Sequence, residues 1–80
     1  MELIATPNPN AKKIEIEHAL VVGTVINSVK ETDDQICSLL IETSGILSIF
    51  AGPGFLTLTK DEGKDWESIN DDIVAQFDKL

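Results

Sequence analysis

The chain of 80 residues carries one thiol and one imidazole, at Cys37 and His18. Zinc sites and iron–sulfur clusters take about four ligands each, mostly thiolates and imidazoles, so one copy supplies too few donors. A nucleophile–base pair would need Cys37 beside His18. Cys37 instead follows Ile36 in a segment predicted as helix, where a free cysteine acts as a small buried hydrophobe. We therefore predict no metal site, no cofactor, no catalytic residue and no enzymatic activity.

Two carboxylate pairs and one glycine-rich loop are the remaining candidates for chemistry. The pairs Asp33/Asp34 and Asp71/Asp72 are adjacent in predicted helices, where neighbouring side chains point about 100° apart and do not chelate together. Residues 52–54 read Gly-Pro-Gly, but a phosphate-binding loop needs a lysine at a fixed offset and a helix directly after it. These residues indicate a tight turn between two strands.

The charge balance narrows the classes of partner. Fourteen acidic residues face six basic ones, giving a net charge of −8, which repels phosphate backbones and anionic membrane surfaces. The N-terminus shows no signal peptide, and the apolar-leaning run at residues 19–29 is too short and too polar to span a bilayer. A single cysteine fits a reducing compartment. These features predict a cytoplasmic protein that binds neither nucleic acid nor membrane.

The first half of the chain predicts two strands and a helix. Residues 2–6 end at Pro7 as a short strand, a turn covers residues 7–10, and residues 12–17 alternate apolar and polar as a second strand. Residues 20–29 indicate a loop with a short strand. Thr32 and Gln35 then have the spacing of a capping box for a helix over residues 33–43, with Gly45 as a left-handed cap.

The second half repeats this order. Strands are predicted over residues 46–51 and 55–60. Asp65 is predicted to cap a last helix, which has an apolar stripe at Trp66, Ile69, Ile73, Phe77 and Leu80. The resulting fold class is α+β, ordered ββαββα, with a mainly antiparallel sheet and two helices packed on one face. All 80 residues are predicted to form a single domain.

Both faces of the third predicted strand are apolar. Strict alternation places Ile46, Ser48 and Phe50 on one face and Leu47, Ile49 and Ala51 on the other. Since two helices cover only one face, we expect some of Leu47, Ile49 and Phe55 to lie near solvent as a docking surface. The alternative is that residues 20–29 fold over this face.

Two sequence blocks carry a family resemblance. The first is Thr-Pro-Asn-Pro-Asn at residues 6–10 with lysines at 12 and 13. The second is Gly-Ile-Leu-Ser-Ile-Phe at 45–50, then Gly52, Phe-Leu-Thr-Leu-Thr-Lys at 55–60, and Trp66. The chain resembles the N-terminal domain of Nfu-type (NifU-like) iron–sulfur scaffold proteins over residues 6–77. Such proteins carry a further domain whose Cys-x-x-Cys pair binds a cluster between subunits, and this chain has no such pair.

The resemblance implies a stand-alone copy of the domain that does not bind the cluster. It implies a non-catalytic protein-interaction domain that assists iron–sulfur cluster assembly or delivery, with a Cys-x-x-Cys scaffold or a client protein as partner. The alternative is a protein- or peptide-binding module of the same fold, independent of clusters. The family pattern marks contact candidates at Asn8, Asn10, Phe55, Thr57 and Lys60. For the two asparagines the alternative is that they only stabilise the turn.

Overall fold

The computed structural model describes residues 3–79. Its elements are β1 (Ile4–Ala5), β2 (Ala11–Glu15), β3 (Val25–Ile26), a 3₁₀ turn (Val29–Glu31), α1 (Gln35–Glu42), β4 (Ile46–Gly52), β5 (Phe55–Lys60) and α2 (Trp66–Phe77). The strands form one antiparallel sheet in the order β1-β2-β5-β4-β3, and with the two helices they give the predicted α+β fold. Within the described residues, neither helix has the length and apolar character needed to cross a bilayer.

The N-terminal hairpin forms as predicted, with Ile4 opposite Lys13. Its turn is held by side chains: the Thr6 hydroxyl donates to the carbonyl of Ala11 at 2.8 Å, and Asn8 Oδ1 accepts from the backbone N–H of Asn10 at 2.9 Å. Strand β1 is shorter than the predicted 2–6, and residue 2 lies outside the described residues. Short polar side chains of this kind replace backbone bonds in a turn that contains two prolines.

Helix α1 begins later than predicted, and the capping box is wrong. Thr32 has an extended backbone, and its N–H closes the preceding 3₁₀ turn. Its hydroxyl accepts a hydrogen bond from Asp34 N–H at 3.1 Å and not from Gln35 N–H, as a capping box requires. Asp34 is the N-cap, and its carboxylate accepts from Cys37 N–H at 2.9 Å. In α2 the predicted cap is confirmed, because the Asp65 carboxylate accepts from Ser68 N–H at 2.8 Å.

A β-bulge in β4 overturns the predicted alternation. Ile46 pairs with Lys60 while Ser48 pairs with Thr59, so Leu47 is an extra residue without its own partner. A bulge exchanges the faces of the residues that follow it. Ile46 and Ile49 therefore point to the same side, and Ile49 is fully buried. Ile49 is therefore not among those of the three candidate residues that lie near solvent, and it cannot contact a partner on the docking surface.

The core fills one face of the sheet. It takes buried side chains from both helices and from four of the strands, including Leu40 of α1 and Ile69 of α2. The largest fully buried side chains are Ile14, Ile26, Leu40, Ile49, Leu56, Leu58, Ile69, Ile73 and Cys37. Residues directly opposite each other in a sheet share a face, so the register assigns one row across the other face. This row is Val25, Phe50, Thr57, Lys13 and Ile4.

Candidate partner-binding surface

The exposed apolar side chains are concentrated on one side of the molecule. Of the seven large hydrophobic residues exposed in the described part of the chain, six lie on β3, on β4 or directly beside β3, and the seventh, Val74, lies on α2. We call the six the apolar strip. Its members are Val21, Val22, Val25, Val29, Leu47 and Phe50. Exposed hydrophobic residues scattered singly are ordinary, whereas a group gathered at one edge of a sheet is a candidate interaction surface.

Backbone hydrogen bonds fix the strip beside β4. Gly23 N–H donates to the carbonyl of Ala51, and Ala51 N–H donates to the carbonyl of Thr24, both at 2.8 Å. The turn preceding Thr24 closes with a 3.0 Å bond from its N–H to the Val21 carbonyl, and Gly23 has φ +98°. Only glycine adopts this conformation readily. The turn therefore holds Val21 in solvent, where it is 78% exposed.

The strip runs along the antiparallel β3–β4 pair. Val25 lies opposite Phe50 and Ile26 opposite Ile49, so the chain beyond Ile26 runs towards the bulge at Leu47. Residues 47–52 of β4 span about 17 Å at the rise of a β-strand. The apolar strip is therefore long enough for several side chains of a partner.

A side chain covers part of the sheet edge next to the strip. Glu31 Oε1 accepts from the backbone N–H of Asn27 at 2.8 Å, directly after β3. An exposed edge strand presents free N–H and C=O groups to other chains, and covering them prevents pairing. The Glu31 carboxylate accepts the hydrogen bond from an amide that an added strand would use. A partner would therefore contact the side chains of the strip more readily than its backbone groups.

Three of the predicted contact residues lie on the open face of the sheet or at its bulge. Leu47 is 53% exposed and belongs to the strip. Thr57 is half-buried between Phe50 and Lys13 in the cross-sheet row. Phe55 is half-buried, with its ring against Gly52 and with Lys13 Nζ 5.4 Å from the ring centroid. These residues remain contact candidates.

The other predicted contact residues hold the N-terminal turn. Lys60 is only 8% exposed, and its Nζ donates to Asn10 Oδ1 at 3.1 Å and to the Asp61 carbonyl at 3.3 Å. Asn8 bonds to the backbone of Asn10 in the same turn. These contacts fit the structural alternative for the asparagines. Lys60 acts as a brace between the turn and the end of β5.

His18 positions the strip through its hydrogen bonds, a structural role that its place in the sequence did not predict. Its Nδ1 accepts from Leu20 N–H at 3.2 Å, so Nε2 carries the proton and donates to the carbonyls of Gly52, at 2.6 Å, and Phe55, at 3.1 Å. The imidazole thus joins the segment before Val21 to the β4–β5 hairpin. No local pattern reveals this, because the partners lie 34 and 37 residues away.

Most members of the strip were also missed. Residues 20–29 contain consecutive valines in a segment predicted mainly as loop, and loops are normally polar. Two adjacent valines in a predicted loop were therefore the one sequence feature that could have indicated an exposed apolar surface at Val21 and Val22. Phe50 was misplaced because the bulge at Leu47 was not foreseen.

The donor set of one chain does not fit an iron–sulfur cluster. The Cys37 thiol is buried, and that burial, aided by the charge of Asp34 and a hydrogen bond with it, raises the pKa of the thiol to about 11. Metal ligation needs the thiolate. Across residues 3–79 no group of three histidine, cysteine or acidic side chains converges as metal ligands would. Cys37 is a core residue.

The thiol gives a testable pH dependence. Because the buried thiol keeps its proton up to about pH 11 and an unfolded one ionises near 9.0, the free energy of unfolding should fall as pH rises between these values. The loss should reach roughly 2–3 kcal/mol, at about 1.4 kcal/mol per pKa unit. Urea unfolding across this range measures it. Cys37→Ala should lack this component, and equal slopes in the two proteins would contradict the assignment.

Comparison with known proteins places this geometry in a family. A family model described as scaffold protein Nfu/NifU N terminal matches residues 1–80. A solution structure of a NifU-like protein from Saccharomyces cerevisiae is similar at 25% identity and a TM-score of 0.72, and the match covers 98% of this chain and 74% of that one.

Two bacterial structures share the fold. A crystal structure of a Staphylococcus aureus protein has 22% identity and a TM-score of 0.82, over 96% of this chain and 95% of that one. A solution structure of a Staphylococcus epidermidis protein has 25% identity and a TM-score of 0.69, over 99% and 94%. A search of curated proteins returned no significant match. The predicted fold and family resemblance are therefore confirmed.

Proposed function

The chain belongs to the family of Nfu/NifU scaffold protein N-terminal domains, and we propose that it is a non-catalytic protein-interaction domain that assists iron–sulfur cluster assembly or delivery in the cytoplasm. The observation that carries the proposal is the apolar strip, which gathers six of the seven large hydrophobic residues exposed among residues 3–79. Solvent exposure of such a surface is unfavourable, and a partner that covers it gains about 25 cal/mol for each Å² of apolar area.

The partner that we propose carries the cluster. Cys37 is the only thiol in the sequence, and its raised pKa disfavours ligation. The ligands must then come from another domain, such as the Cys-x-x-Cys domain of a NifU-like scaffold, or from a client protein that receives the cluster. In this arrangement the present domain recognises and orients the partner, and the cluster is cargo.

Titration of the ¹⁵N-labelled chain with a purified Cys-x-x-Cys domain of a NifU-like protein tests the proposal. We expect amide shifts confined to residues 21–29 and 46–52, with both the cluster-loaded and the cluster-free domain measured. The variant Leu47→Ser should weaken binding, because it removes an exposed apolar contact of the strip. Val74→Ser is the matched control, since Val74 is exposed on α2 outside the strip.

Absence of binding by both forms of the Cys-x-x-Cys domain would contradict the cluster-related function. The strip itself is not specific to cluster proteins, so a partner unrelated to clusters would then support the alternative, a cluster-independent protein- or peptide-binding module. Anaerobic incubation of the isolated chain with iron and sulfide is the second arm. We expect no visible absorption from the single chain, and stoichiometric iron held by it would overturn the assignment of the cluster to the partner.

A further inference from the structure

We propose that the apolar strip binds an amphipathic helix of about three turns whose polar flanks are positively charged. This inference rests on the proposed function, because it specifies the segment by which a partner docks. It follows from three features of the described residues: the length of the strip, the covered edge of β3, and the sign of the charges around it.

The length and composition of the strip suit a helix. Apolar side chains lie at both ends and in the middle: Val22 at the turn, Val25 beside Phe50, and Leu47 at the bulge. The distance of about 17 Å along β4 corresponds to three helical turns, which are about 16 Å long. A helix with apolar residues at i, i+3, i+4, i+7, i+8 and i+11 presents contacts over this length.

The edge of β3 argues against strand addition. Strand addition depends on free backbone groups, and specificity comes from alternate side chains. Here β3 has two residues, and the Asn27 amide that follows it already donates to the Glu31 carboxylate. An added strand would have to displace that charge-assisted hydrogen bond. A helix uses side chains alone and leaves the bond intact.

The negative charge around the strip favours positively charged residues on the flanks of the partner helix. Residues 17–31 and 42–52, which contain the strip, carry three exposed carboxylates, at Glu17, Glu31 and Glu42, against one exposed lysine, Lys30. The chain as a whole carries a net charge of −8. Complementary potentials favour a cationic partner and disfavour a like-charged one. A second copy of this chain would bring the same excess of negative charge to the contact, so we assign the strip to a different protein.

Two synthetic helical peptides of about 14 residues, which form nearly four turns, are the probes. Both carry the same leucine stripe, and one has lysine and the other glutamate along its flanks. We expect the lysine peptide to shift the amides of residues 21–29 and 46–52 of the ¹⁵N-labelled chain. It should bind at least about 10-fold more tightly than the glutamate peptide at low salt. This ratio should fall at high salt, which screens exposed charges.

Variants of the chain locate the contact. The substitutions Leu47→Ser and Phe50→Ser should each weaken binding of the lysine peptide by roughly 10-fold or more, since buried apolar anchors dominate such contacts. The matched substitution Val74→Ser should leave it unchanged. Because all three side chains are exposed, the amide spectra should show an intact fold in each variant.

Four results would overturn the inference. They are shifts centred on α2, which exposes Glu67, Asp71 and Asp72, equal affinity for the two peptides, unchanged binding by Leu47→Ser, and a dimer in sedimentation that buries the strip. Binding of the lysine peptide without binding of the Cys-x-x-Cys domain would keep the helix site and reject the proposed function. Binding of that domain away from the strip would do the reverse.

Discussion

Replacing Ile49 by alanine should lower the free energy of unfolding by about 2–5 kcal/mol, the range for truncating a buried isoleucine. Ile49 has no exposed surface and belongs to the core cluster on the helix side of the sheet. An 80-residue chain has a total stability of roughly 4–12 kcal/mol. The single substitution therefore removes a large part of the stability, and urea unfolding at constant pH measures the loss.

Leu47→Ala is the matched control for Ile49→Ala. The two residues are two positions apart, and strict alternation would give them the same environment. Leu47 is 53% exposed, so its truncation should change stability by no more than about 0.5 kcal/mol. Similar losses in the two variants would mean that the bulge does not place their side chains on different faces, and would contradict the β4–β5 register.

The bulge shows where reasoning from the sequence reached its limit. The existence of β4 and β5, their hairpin and the turn at residues 52–54 follow from local signals: an apolar run in β4, alternation in β5 and the Gly-Pro-Gly sequence between them. The bulge at Leu47 depends on how β4 pairs with β5 across the whole hairpin, and no residue type near Leu47 announces it. Because of this one extra residue, Ile49 faces the core and Phe50 faces solvent, the reverse of what strict alternation predicts.

The two helices differ in the same way, because local sequence predicts the start of α2 but not the start of α1. The stripe from Trp66 to Phe77 and the cap at Asp65 are local features, and α2 begins as predicted. The start of α1 depends on the preceding 3₁₀ turn, which places Thr32 in extended backbone and gives the cap to Asp34. A capping box was compatible with the sequence, but the tertiary placement of residues 29–32 decided between two possible caps.

The candidate surface was only partly predictable for a related reason. An open sheet face with exposed apolar residues follows from having two helices and two apolar strand faces. The position of this surface on the molecule does not follow from the sequence. It depends on β3, which pairs with β4 at the edge of the sheet instead of folding over the open face. The position of the valine turn further depends on His18, whose hydrogen bonds to Gly52 and Phe55 reach across the sheet.

Gly52 is the second position where a large effect is expected. It lies opposite Phe55 at the end of the β4–β5 hairpin, and a Cβ atom placed on it would overlap the Phe55 ring. The ring in turn lies beneath Lys13 Nζ, and the Gly52 carbonyl accepts the hydrogen bond from His18. A side chain here must displace the ring and disturb the hairpin that holds the valine turn.

Gly52→Val should therefore lower the free energy of unfolding by about 3 kcal/mol or more, at the upper end of the range for overpacking. A double-mutant cycle with Phe55→Ala identifies the cause, since residues in contact are not additive. In the Phe55→Ala background the ring is gone, and Gly52→Val should cost clearly less. If the cost is the same in both backgrounds, the requirement for glycine comes from the backbone and not from the ring. A smaller cost would show that the aromatic ring requires glycine at this position, and that the hairpin end supporting the apolar strip is set by one contact between Gly52 and Phe55.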